Sequence, residues 1–384
     1  MDARAWCGIV VGLGVLLAGP GCERVPGDGE PIRIGHFASM TGSEATWGVS
    51  TDWGVRMAVD EANAEGGVRG RRLQVITYDN QGKQQESATA VTRLITQDRV
   101  VAILGEVASS RSIAGGQVAQ RFGVPMISPS STNPRVTEIG DMIFRVCFID
   151  PFQGYACAKF ARGEPLRAQT AATLFNRSQI YSTGLNETFR EHFTKLGGTI
   201  TTEQAYSDGD TDFSAQLTNI RGTSPDVIFI PGYYTEVINI AVQARRLGIT
   251  VPLLGGDGWD AEDLKNAGSA LDGCFFCNHY SHEDPRPAVQ EFVKKYKALE
   301  GGRVPDGMAA TGYDAARLLI DAMRRAPSLS GKDLAAAIAA TKDFPGVTGV
   351  ITIDAQRNAR KPAVILRLQG GKPSFVTSID PPAD

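Results

Sequence analysis

Val100-Val-Ala-Ile-Leu-Gly-Glu-Val-Ala-Ser-Ser110 decides the fold. Residues 100–104 are apolar throughout, without the alternation of a half-exposed strand, which is how a strand buried on both faces of a parallel sheet reads. A glycine ends the run and two serines open a helix. Outward from this unit the pattern repeats. Short apolar runs bounded by Gly, Pro, Asp or Asn recur at 32–37, 73–78, 125–128, 142–146, 171–175, 227–230 and 251–254. Between them lie stripes at helical spacing: Val55, Ala58, Val59 and Ala62; Ala88, Val91, Leu94 and Ile95; Val237, Ile240, Ala241 and Ala244. Strands alternating with amphipathic helices predict βαβ units, parallel sheets and an α/β class.

The strands are too many for one small sheet. After Phe148-Ile-Asp-Pro151 the series restarts, with a helix over 152–161 and a strand over 171–175, which puts a domain crossing there. A second candidate crossing lies near 278–287, where the strand-like segment 274–278 meets a polar, proline-containing stretch. A chain of 384 residues has room for two or three domains at about 150 residues each.

Composition narrows the function. The 39 Lys+Arg against 42 Asp+Glu leave a formal charge of −3, which removes the long-range attraction that nucleic acid or an anionic membrane surface demands. The expected partner is a small molecule or another protein. Glycine is abundant, 43 residues with no Gly-X-Y period, so it marks turns and close approaches of backbone.

The first residues read as an address. The apolar stretch from Trp6 to Ala18 is too short to span a bilayer and fits a secretory signal. It ends Ala18-Gly-Pro-Gly-Cys22, followed by a Gly/Pro/charge tract to Pro31. This resembles a bacterial lipoprotein leader, with residues 1–21 removed, Cys22 lipidated and 22–31 a linker. The only membrane contact expected is that lipid anchor, on the periplasmic side. Export leaves Cys147, Cys157, Cys274 and Cys277 in an oxidising compartment, and four thiols allow three pairings. Cys274-Phe-Phe-Cys277 has redox-motif spacing, so a thiol redox protein stands as the different-class alternative.

In open α/β sheets ligands bind beyond the carboxyl ends of the strands, so the residues just past each strand are the candidates. The first half supplies Trp47, Ser109, Ser130 and Thr132; the second supplies Tyr181, Tyr233 and Asp257. Ser109 stands where a helix N-terminus presents free N–H groups, an anion site needing no arginine. Ser130 and Thr132 add hydroxyls. Asp257, among three glycines, suits an ammonium, and Trp47, Tyr181 and Tyr233 would wall the cleft. The set fits a zwitterion. Plainer readings stand beside each: Ser109 as a cap, Ser130 and Thr132 as turn formers, Asp257 in a turn, Trp47 in the core. No catalytic constellation, metal set or cofactor motif is visible; His36, His192, His279 and His282 sit in unrelated contexts.

Met40-Thr-Gly42 with Trp47-Gly48, Ala62-Asn-Ala-Glu-Gly-Gly67, Tyr78-Asp79, Gly105 to Ser110, Ile127-Ser-Pro-Ser-Ser-Thr132, Phe144-Arg145 with Asp150 and Gln153-Gly154, Tyr181 with Gly184, and Gly312-Tyr-Asp-Ala315 succeed one another in order. This ordered set resembles the bacterial leucine/isoleucine/valine-binding proteins of ABC transporters. The resemblance implies a type I periplasmic binding protein: two Rossmann-like lobes joined by a three-stranded hinge, residues 32–150 with 280–355 in one and 151–279 with 356–384 in the other. It implies a non-enzymatic receptor that holds an amino acid in the cleft and delivers it to the permease membrane subunits. On it, Ser109, Ser130 and Thr132 match carboxylate-binding positions, Trp47 an aromatic wall, Tyr181 and Tyr233 second-lobe contacts, and Asp257 the ammonium partner. That acid is often Glu in the family, and its aliphatic-pocket aromatic falls at Met308 here. A bulkier, aromatic or polar amino acid, or an amide, is therefore open. Family relatives also serve as sensors, so a sensing receptor for amino acids or amides stands beside transport.

Overall fold

The computed structural model describes residues 29–382. The leader, Cys7 and Cys22 lie outside them, and so does most of the expected linker.

The first lobe opens with β1 (Ile32–Ala38), α1 (Ala45–Ala64), β2 (Leu73–Asp79), α2 (Gln84–Thr96), β3 (Ala102–Leu104), α3 (Ser109–Phe122), β4 (Met126–Ser128) and β5 (Ile143–Arg145). These strands form one sheet in the order β2-β1-β3-β4-β5, parallel throughout. The apolar run that decided the class becomes β3, in the middle of that order, with all three residues buried. Its neighbour α3 is closed by Gly123, whose positive φ of 65° provides the left-handed cap.

The chain then builds α4 (Asp150–Arg162), β6 (Thr170–Asn176), α5 (Ile180–Lys195), β7 (Thr199–Tyr206), α6 (Ser214–Thr223), β8 (Val227–Ile230), α7 (Tyr234–Arg246), β9 (Leu253–Gly255) and β10 (Phe275–Asn278). Strand order is β7-β6-β8-β9-β10, the same order as in the first sheet. The stripe Val237, Ile240, Ala241 and Ala244 is the buried face of α7, as its spacing requires.

After β10 the chain returns to the first lobe with α8 (Pro287–Leu299), α9 (Gly307–Arg325) and α10 (Gly331–Ala339). Val289, Phe292, Leu318 and Leu334 of these helices share a core with Ile34 and Leu104 of the first sheet. A small antiparallel sheet comes next, β11 (Phe344–Gly346), β12 (Gly349–Ile353) and β13 (Ala359–Arg360). The chain then passes through Lys361 and Pro362 to β14 (Ala363–Gln369) and β15 (Lys372–Ile379), which extend the second sheet from β10 as antiparallel strands. The chain thus passes between the sheets three times: after β5, after β10 and after β13.

Two-lobed α/β architecture with parallel central sheets is what the sequence predicts. The strand series missed β7, because an edge strand buries only Tyr206 and reads as polar.

Candidate functional site

With strand order 2-1-3-4-5, connections diverge between the first and third strands, and the crevice at their carboxyl ends is where such sheets bind ligands. Both sheets have this order, and their carboxyl-end loops meet. The seven residues predicted from the sequence all lie in them. Trp47 is in the first turn of α1, Ser109 opens α3, and Ser130 and Thr132 come after β4; Tyr181 opens α5, Tyr233 directly precedes α7, and Asp257 comes after β9. None is more than 5% exposed.

On the first-lobe side the loops after β3 and β4 are stitched together. Ser131 Oγ donates to the carbonyls of Glu106 (3.0 Å) and Val107 (2.8 Å). The buried Arg145 guanidinium donates to the carbonyls of Ser131 and Asn133, on either side of Thr132. Ser109 Oγ accepts from the Asn133 amide at 3.2 Å, which leaves its O–H to donate, and the first N–H groups of α3 have no intrahelical partner. Ser130 is different. Its hydroxyl pairs with Thr311 of α9 at 2.7 Å, so its place in the site rests on its loop rather than on a free hydroxyl.

On the second-lobe side Asp257 is held by three donors. Tyr181 Oη (2.9 Å) and Gln153 Nε2 (2.8 Å) bond Oδ1, and His279 Nε2 lies 3.0 Å from Oδ2. Burial lowers the pKa of His279 and raises that of Tyr181 well above its ordinary value. Both are therefore neutral donors at pH 7. Gly256 is required here, because a Cβ at that position would stand 2.5 Å from Tyr181 Oη.

Three residues here were given no site role by the sequence reading: Asp150 and Gln153, which stood in the ordered motif without one, and His279. The placing of His279 in an unrelated context is corrected by its contact with Asp257. It is the first residue past the strand-like segment 274–278, so the strand-end rule extended to that strand puts it in the cleft. Asp150 is the most informative. Its backbone N–H donates to Thr132 O at 3.0 Å, yet both its carboxylate oxygens and Thr132 Oγ1 are buried without a hydrogen-bond partner. The hydroxyl faces the carboxylate without closing a bond of normal geometry. Burial pushes Asp150 up to about 8, and the Asp257 charge adds to the rise, against the pull of Thr132, Arg145 and Asn133. Unmatched acceptors this deep are costly unless something else satisfies them.

Aromatics close the cleft. Trp47 meets the ring of Tyr233 edge-on at 4.8 Å, and Tyr233 stacks on Tyr181 at 5.3 Å. Val107, Ala108 and Met308 belong to the same apolar cluster.

The four described cysteines are buried and unbridged. Cys274 takes a hydrogen bond from Arg245 of α7 at 3.2 Å, whereas Cys277 meets Cys157 of α4. The two thiols of the redox-spaced motif thus face different helices. Among the described residues no group of three or more His, Cys, Asp or Glu is placed to hold a metal, and no helix is long and apolar enough to cross a membrane.

Known proteins bear on this geometry. A family profile described as periplasmic binding protein matches residues 31–372. The chain belongs to the periplasmic binding protein family. It is 28% identical over 310 residues to the leucine-specific-binding protein of Salmonella typhimurium, covering 79% of this chain and 82% of that one. Among solved structures, a leucine-binding protein from Thermotoga maritima shares 38% identity with a TM-score of 0.87, covering 91% of this chain and 99% of that one. A branched-chain amino acid transporter substrate-binding protein from Streptococcus pneumoniae, solved with isoleucine, shares 33% identity with a TM-score of 0.87, covering 92% and 100%. This periplasmic binding protein therefore sits among the branched-chain amino acid-binding proteins, which are solute receptors of transporters rather than enzymes.

Proposed function

We propose that this protein binds an α-amino acid with an apolar side chain of the branched-chain class between its lobes and delivers it to the membrane subunits of an ABC permease. The observation that carries the reading is the buried trio of Thr132 Oγ1 and the two Asp150 oxygens, none in a hydrogen bond of normal geometry, with the Asp257 charge acting on Asp150; it moves Thr132 from the ligand carboxylate, which the resemblance implied, to the ammonium. An ammonium is the ligand group that answers such a site, since it has three donors and one positive charge. The ligand carboxylate lies on Ser109 and the N-terminal N–H groups of α3, with the loop of Ser130 and Thr132 beside it. Its side chain packs against Trp47, Met308 and Tyr233. An uncharged amide brings no positive charge to the two buried acids, so the amino acid is favoured over the amide, and transport over amide sensing.

Closure arises from differential binding. Contacts from both lobes coexist only in the shut state, so the ligand shifts the population toward it. The lobes are read as 32–150 with 280–360 and 151–279 with 361–384, the last boundary moved from 355 because β13 pairs with β12 and Ala359 packs in the first lobe's core, and Cys22 is read as the lipid-bearing residue of a periplasmic protein. A thermal-shift screen over the common amino acids, amides and sugars tests the reading, because a ligand of the native state raises the melting point by mass action. A shift with leucine, isoleucine or valine supports it. No shift with any amino acid at millimolar concentration contradicts it.

A further inference from the structure

The loop that carries Asp257 makes a second set of bonds, through Asp260, to other parts of the protein. Asp260, three residues on, is 6% exposed. Its backbone N–H donates to the Asp257 carbonyl at 3.0 Å, which fixes the turn presenting the Asp257 carboxylate. Its own carbonyl accepts from Trp47 Nε1 at 2.9 Å, and Trp47 belongs to α1 of the first lobe. Its side-chain Oδ2 accepts from Asn278 Nδ2 (2.8 Å), in the second sheet, and from Gly307 N (2.6 Å), the first residue of α9. Gly307 must be glycine for this contact, since a Cβ there would stand 2.7 Å from Asp260 Oδ2. One residue of the second lobe is thus bonded to two helices of the first.

Nearby pairs extend the contact along the lip. Thr46 Oγ1 donates to the Asp263 carboxylate, and Tyr234 Oη donates to Ser43 O at 2.8 Å. Each joins the start of α1 to the second lobe. Asp260 lies innermost, adjoining the ammonium site on one side and α9 on the other. From the next position along α9, Met308 reaches the apolar cluster of the cleft.

We propose that Asp260 is the positioning residue that couples capture of the ligand ammonium at Asp257 to docking of the second lobe on α1 and α9. This inference rests on the amino-acid reading and adds to it a latch with no ligand contact of its own. Interlobe bonds made on closing hold the ligand in without helping it to enter. Their loss is therefore read in the dissociation rate.

The test is stopped-flow tryptophan fluorescence on the full mature protein with L-leucine, L-isoleucine and L-valine as probes, comparing wild type with Asp260→Asn, Asp260→Ala and Thr46→Val. Asp260→Ala is expected to raise the dissociation rate about tenfold or more, Asp260→Asn less, with association within about twofold of wild type. Thr46→Val, on the lip, is expected to raise it about threefold and keeps the test available if an Asp260 variant fails to fold. Unchanged dissociation rates, or a loss confined to association, overturn the proposal while leaving the amino-acid reading intact. A wild type that binds none of the three probes overturns both, since no captured ammonium is left to couple.

Discussion

The His279 imidazole stands 3.0 Å from the Asp257 carboxylate, with His279 at 1% and Asp257 at 3% exposure. Acid and histidine lie just past β9 and β10 of the second sheet, and these strands pair side by side to bring them together. Burial keeps the imidazole neutral, so it orients the carboxylate without cancelling its charge. Replacing His279 with Ala is expected to weaken amino-acid binding about tenfold. His279→Gln, which keeps a donor, is expected to recover part of that loss. Isothermal titration calorimetry on both variants checks it.

Asp150 is expected to make binding depend on pH. Its pKa in the ligand-free fold is raised to about 8 by burial, so near neutral pH it holds a proton that an incoming ammonium must displace. Affinity is expected to fall as pH drops from 8 to 6, by up to about tenfold per unit. Titrations in buffers of different ionisation enthalpy should reveal proton release on binding at pH 7. The dependence should vanish in Asp150→Asn.

The same carboxyl affects stability with the opposite tendency from a salt-bridged acid. Because its folded pKa lies above the unfolded value, the native state retains a proton that the unfolded chain has lost above about pH 4. Asp150 therefore contributes stability at low pH that is lost progressively as pH rises toward 8. Asp150→Asn is expected to raise the melting point of the ligand-free protein at pH 8 by about 2–5 °C while weakening ligand binding. Scanning calorimetry at pH 5 and pH 8 measures the first effect.

Cys274 and Cys277 are expected to show no dithiol chemistry. They face Arg245 and Cys157 respectively, and burial raises both thiols above their ordinary pKa. Cys147 is pushed up to about 12 by burial. Few thiolates are present at neutral pH. None of Cys147, Cys157, Cys274 and Cys277 should react with a thiol reagent before denaturation, and an insulin-reduction assay should read as background.

The legible part of this molecule is its repeating pattern. Runs such as 100–104 and stripes such as Val237 to Ala244 carry their period within a dozen residues, so the βα units and the residues just past each strand could be read directly. Asp257 and Tyr181 are 76 positions apart in the chain, but the strand-end rule places both in the cleft before any distance is known. The residues that escaped depend on strands lying side by side. Nothing local to Asn278-His279-Tyr280 points to an acid 22 residues earlier; the pairing of Phe276 with Gly255 does. Asp150 read as a boundary residue after Phe148 and as part of the ordered motif, but without a role, because its unmatched oxygens are a property of packing. β7 escaped because its side chains are largely solvated.

Calorimetric titration of wild type and Asp257→Ala with leucine, isoleucine and valine bears most directly on the interlobe amino-acid site. Wild type is expected to bind at least one of the three at a single site. Asp257→Ala should lose about a hundredfold or more in affinity with its fold and far-ultraviolet dichroism unchanged. Undiminished affinity in Asp257→Ala would mean that the ammonium is held elsewhere, and absence of binding by the wild type would contradict the site altogether.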